Sequence, residues 1–151
     1  MKPLQPVHYG TTLSSSHSSD AARDQRVAED VPDIIVLTEP IESDRLSVLV
    51  TRFFTDMVKL VADVERSRIA VGGELHADAE AILLEGGSRQ QDLWGANYYP
   101  GRGTDGCIEY TALINIRPSA GNRSMEIEDP AARKRVRDLV YRLIGTGEPL
   151  P

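Results

Sequence analysis

The apolar residues of this chain change their period at residue 58, and that change limits the folds open to it. Before it, Leu46, Leu49, Val50, Phe53 and Met57 recur at the i, i+3, i+4 spacing of a helix with one buried face, with Ser43 or Asp44 as its N-cap. From there Val58, Leu60, Ala62 and Val64 alternate with Lys59, Val61, Asp63 and Glu65, which favours a strand, while Val61 and Val64 also extend the helical stripe and leave a continued helix as the alternative. A second amphipathic helix lies near the end of the chain. Asp129 caps it and Pro130 takes the first helical position, where a missing N–H costs nothing. Val136, Leu139, Val140 and Leu143 form its stripe, and Gly145 and Gly147 stop it.

Between these helices the chain reads as short strands separated by turn residues. They span residues 69–77, 80–85, 93–99 and 108–117, the last being the longest, and a further short strand at 34–37 precedes the first helix. Asp78-Ala79 is the expected tight turn, Gly86-Gly87-Ser88 the next, and Pro100 and Pro118 end the strands before them. Loops this short suit antiparallel pairing. The expected fold is therefore α+β: an antiparallel β-meander with two amphipathic helices packed on one face, since both stripes need burial against the sheet.

Residues 1–32 have a different character. Five serines cluster between positions 14 and 19, and the aliphatic residues follow no period. Such a segment buries too little apolar surface to offset its ordering entropy, so a disordered Ser-rich tail is expected before a single domain at 33–147. The whole chain carries 17 basic and 23 acidic side chains, a net charge of −6. That balance argues against duplex DNA as a partner. No apolar run is long enough to span a membrane, and no apolar stretch of a secretory signal follows Lys2. With the single Cys107, these features point to a cytoplasmic protein.

Five segments are familiar in this order: Gly72-Gly73-Glu74-Leu75-His76-Ala77-Asp78, Leu83-Leu84-Glu85-Gly86-Gly87-Ser88, Asp92-Leu93-Trp94-Gly95, Ile114-Asn115-Ile116-Arg117-Pro118 and Gly121-Asn122-Arg123-Ser124. Over residues 33–145 the chain resembles a small bacterial and archaeal family known only as a domain of unknown function. The resemblance implies a compact domain and assigns no activity, cofactor or catalytic residue.

Two candidate sites emerge from the residues. The first is Glu74, His76 and Asp78, spaced by two around the only histidine after the tail. On a strand all three would share a face, giving a general base with carboxylate partners or ligands for a divalent metal. The hairpin register expected here also brings Asn97 onto the face of His76. The second site is the 117–124 loop. There Arg117, Asn122, Arg123 and Ser124 supply guanidinium forks, an amide and a hydroxyl around a glycine, a set suited to phosphate or carboxylate, with Asn97 on the nearby sheet face as a further ligand-binding residue.

Three readings follow. The chain is a small binding module for an anionic small molecule or acidic protein partner at the 117–124 loop. Alternatively, it is a metal-assisted hydrolase using Glu74, His76 and Asp78, or an interaction protein without catalysis. The last helix adds a basic face of Arg133, Lys134, Arg135, Arg137 and Arg142, which more often is simply solvated.

Overall fold

The computed structural model describes residues 21, 22, 25, 26 and 28–151. The chain divides into two units, Met1–Val31 and Pro32–Pro151. In the first, residues 21, 22, 25, 26 and 28–30 are helical and Val31 is buried; residues 1–20, 23, 24 and 27 of the expected tail lie outside the described residues.

The second unit is α+β. Its strands are β1 (Ile34–Leu37), β2 (Val58–Asp63), β3 (Arg68–Gly72), β4 (Leu93–Tyr98) and β5 (Ile108–Glu109), and its longer helices are α1 (Ser43–Phe53), α2 (His76–Glu85) and α3 (Pro130–Leu143). All neighbouring strands pair antiparallel, in the order β1-β3-β2-β4-β5. The β2–β3 hairpin turns where Asp63 Oδ1 accepts from the backbone N–H groups of Glu65 and Arg66. Fully buried, Asp63 also accepts from the Ser88 hydroxyl at 2.6 Å, which ties the end of β2 to the turn after α2.

Alternation sorts the sheet into two faces. Val58, Leu60 and Ala62 share one with Ile69, Val71, Ala96 and Tyr98, all buried. Helices α1 and α3 lie beside this sheet and bury Leu46, Leu49 and Val50, and Val136, Leu139, Val140 and Leu143. Asp129 caps α3 as expected, accepting from the Ala131 N–H. Beyond α3, the Gly147 N–H donates to the Tyr98 hydroxyl, closing this layer.

The opposite face holds an unexpected helix. Residues 76–85, read from the sequence as the end of one strand, a tight turn and a second strand, form α2. Its Ala79 and Leu83 bury against Val61, Ala70 and Leu93. Strand β3 ends at Gly72, where a φ of +111° and the Asp33 carbonyl oxygen, 2.2 Å from where a Cβ would stand, require glycine. The chain then crosses the sheet as α2 before returning as β4, so the strand order departs from a simple meander.

The second correction concerns residues 108–117. Only Ile108 and Glu109 pair as a strand; Leu113–Asn115 and Pro118–Ala120 are single 3₁₀ turns. The reason is a polar one. The buried Asn115 side chain takes the place of a strand partner, accepting from the Gly95 N–H and donating to the Gly95 and Met125 carbonyls.

Candidate functional site

Where β5 stops short, α2 begins, and the 111–125 segment folds over, a cavity of about 510 Å³ opens. Its floor is one row of the sheet. Lys59 pairs in register with Asn97, and Asn97 with Glu109, so a cation, an amide and a carboxylate stand side by side on neighbouring strands. One wall is Leu75, His76 and Ala77 at the start of α2; the other is Ala112, Leu113, Ile114 and Met125. Leu75 is 55% exposed and Leu113 70%, so the mouth is apolar and open. Gly95 permits this wall to close on the sheet, because a Cβ there would stand 2.5 Å from Ala112 Cβ.

Several polar groups in the cavity lack the partners that buried polar groups normally find. Asn97 is only 7% exposed. Its Nδ2 donates to Glu109 Oε1 at 2.7 Å, but its Oδ1 makes no hydrogen bond. Tyr99 also donates to Glu109 Oε1. Lys59 forms no ion pair with any described residue, and its ammonium stands 5.3 Å from the centre of the Phe54 ring. Leu75 caps α2 without a side-chain hydrogen bond, which leaves the first backbone N–H groups of the helix free.

His76 is the one imidazole of the site. Its Nε2 is 2.8 Å from the Ala96 carbonyl oxygen. A carbonyl only accepts, so Nε2 carries the hydrogen and Nδ1 keeps its lone pair. Burial pushes the imidazole below its ordinary 6.5, and Lys59 adds to that; the Ala96 carbonyl, the Asn97 side chain and Glu109 pull the other way. At neutral pH the ring is uncharged.

The structure separates the residues grouped from the sequence. Glu74 precedes α2 and Asp78 lies on its first turn, both exposed, and neither lines the cavity. Residues two apart on a helix point about 200° from one another, so the shared strand face of Glu74, His76 and Asp78 is replaced. Among the described residues no three His, Cys, Asp or Glu side chains gather as metal ligands. His76 and Asn97 do meet, by the packing of α2 on β4 rather than by strand pairing.

In the 117–124 loop Arg117, Asn122 and Ser124 are engaged internally, whereas the Arg123 guanidinium forms no ion pair with any described residue. Arg117 donates to the carbonyls of Gln90 and Leu93 and lies 4.3 Å over the Trp94 ring. The buried Asn122 donates to the carbonyls of Asn115, Ser124 and Glu126 and accepts from the Glu128 N–H. The Glu128 carboxylate already occupies the backbone N–H groups of Arg123 and Ser124, which hold its pKa below the usual range. On α3, Arg133, Lys134 and Arg135 pair with Glu126, Asp138 and Glu65.

Residues 35–143 match the family described as "Protein of unknown function (DUF5674)". The chain belongs to this family. Comparisons with curated proteins and with solved structures found no match. The matched span of this family member includes α2, the Lys59–Asn97–Glu109 row and the wall that folds over them. No helix among the described residues is long and apolar enough to cross a membrane.

Sequence reasoning placed His76 and Asn97 in a site but missed Lys59 and Glu109. The signal available for Lys59 was a charge at an inward position of a strand whose alternate residue, Val61, is apolar. Glu109 carried no comparable signal, because its place depends on where β5 pairs.

Proposed function

We propose that the domain is a binding module for a small molecule with an apolar body and an anionic head, held in the cavity beneath the start of α2. The observation that carries this reading is Lys59, a cation facing a mostly apolar cavity without a carboxylate in ion-pair range. An ammonium in such surroundings gains most from an anion brought by a ligand. The free N–H groups at the start of α2 favour the same charge. A volume of about 510 Å³ fits a small-molecule site, and Leu75, Leu113 and Met125 supply the apolar contact. The anion expected at the 117–124 loop has a better-supported place here, where a cation unpaired among the described residues lines a mostly apolar cavity.

Calorimetry with isocaproate and its neutral analogue isocaproamide tests the reading. The acid is expected to bind and raise the melting temperature, and the amide to bind far more weakly. Lys59→Gln should weaken the acid by at least about tenfold. Equal binding of acid and amide, or no effect of Lys59→Gln, would refute it.

A second reading rests on one observation, the His76 ring lining the cavity with its Nε2 2.8 Å from the Ala96 carbonyl, which leaves Nδ1 able to accept a proton. It makes His76 a general base toward a bound molecule. His76→Gln would then abolish turnover while leaving affinity for isocaproate within about threefold.

A further inference from the structure

The cavity holds both signs of charge, and neither is neutralised within the protein. Lys59 and Glu109 flank Asn97 in a single row, about 4.8 Å per step across the strands. Neither forms an ion pair with any described residue. Both side-chain hydrogen bonds to Glu109 use Oε1, which leaves Oε2 unengaged. Asn97 Oδ1, between the two charges, is buried and has no donor while the neutral His76 ring keeps its hydrogen on Nε2 toward the Ala96 carbonyl. A simple carboxylate would engage Lys59 and leave this acceptor empty, at the cost of an unsatisfied buried polar group.

We infer that the ligand is an apolar α-amino acid. This rests on the anion-binding reading above and extends it to a zwitterion. The carboxylate lies at Lys59 and the free N–H groups of His76 and Ala77. The ammonium donates to Asn97 Oδ1 and to Glu109 Oε2, and its remaining hydrogen turns toward His76 Nδ1. The side chain takes the apolar wall of Leu75, Leu113, Ile114 and Met125. In an α-amino acid the carboxylate and the ammonium stand on one carbon, which matches a cation and an acceptor pair on adjacent strands. The free N–H groups of the helix contribute to this site because Asn97 independently demands a donor there.

The test compares leucine with isocaproate, which has the same skeleton without the ammonium, by calorimetry on the full chain near neutral pH. Leucine is expected to bind at least about tenfold more tightly. Glu109 is exposed, and Glu109→Gln keeps an acceptor for Asn97 and Tyr99 while removing the charge. In that variant the preference for leucine should shrink to less than about threefold. Isocaproate binding as tightly as leucine, or more tightly, would overturn the amino-acid inference and leave the anion reading intact. Failure of both to bind would overturn both. A leucine preference unchanged by Glu109→Gln would remove Glu109 from the site and overturn the inference as drawn.

Discussion

The side-chain amide of Asn115 pairs with both backbone polar groups of Gly95: the Gly95 N–H donates to its Oδ1 at 2.8 Å, and its Nδ2 donates to the Gly95 carbonyl at 3.0 Å. A side chain thereby acts as one residue of a neighbouring strand. It continues the edge of β4 beyond β5 and anchors Ala112–Ile114 as the cavity wall. Asn115 is fully buried, so removing it strands several backbone groups without water. Asn115→Ala is expected to lower unfolding stability by roughly 2–4 kcal/mol in urea titrations. A loss below about 0.5 kcal/mol would mean that the wall holds without this clamp.

Gly95→Ala probes the same contact from the other side. The added Cβ would meet Ala112 Cβ at 2.5 Å and the Ile114 side chain just beyond 3 Å. At that distance something must shift, and the wall is what the new methyl meets. The expected cost is about 1–3 kcal/mol from overpacking. Isocaproate binding should weaken with it, since Ala112 and Ile114 line the cavity. Stability and affinity measured on one preparation check both halves; a destabilised variant with unchanged affinity would separate the wall from the site.

How much of this was legible in the sequence depends on which physical signal each segment carried. Helices α1 and α3 and strands β2 and β4 announce themselves by period, and Asp129-Pro130 fixes the start of α3. Residues 76–85 carry two periods at once. Ala77, Ala79, Ala81 and Leu83 alternate as in a strand, while Ala79 and Leu83 are also one helical turn apart. Alanine's helix propensity, set against the period of two, favours the helix that forms. Residues 108–117 misled for another reason: Asn115 and Asn122 replace ladder bonds with side-chain bonds, and no hydrophobic pattern records that. The same holds at the site. Asn122 and Arg117 carry ligand-type chemistry, but their engagement by Gln90, Leu93, Asn115, Ser124 and Glu126 is a tertiary fact.

That engagement makes Arg117 a structural residue whose charge is secondary. Its fork reaches two carbonyls that belong to the turn into β4 and to β4 itself, and its plane covers Trp94. A lysine keeps the charge but loses the fork and the stacking plane. Arg117→Lys should therefore destabilise the protein by roughly 1–3 kcal/mol and change Trp94 fluorescence. Isocaproate affinity in the cavity should stay within about threefold. A stable variant with impaired ligand binding would reverse this assignment.

His76 makes stability depend on pH in a defined direction. Burial, aided by Lys59, lowers its pKa below 6.5, against the opposing pull of the Ala96 carbonyl, Asn97 and Glu109. The unfolded chain therefore binds a proton at a higher pH than the folded one. Between the lowered folded value and about 6.5, the unfolded state holds more protons, so stability rises with pH. This contribution is complete above the unfolded value and is lost as pH falls through the folded one. The exposed carboxylates with lowered pKa values, Glu128, Asp138 and Glu148, have ordinary values of 4.5 or below and act at lower pH. Urea midpoints should therefore fall between about pH 7 and pH 5.5 in the parent and change less in His76→Gln. Parallel pH profiles for the two proteins would show that His76 titrates alike in the folded and unfolded states.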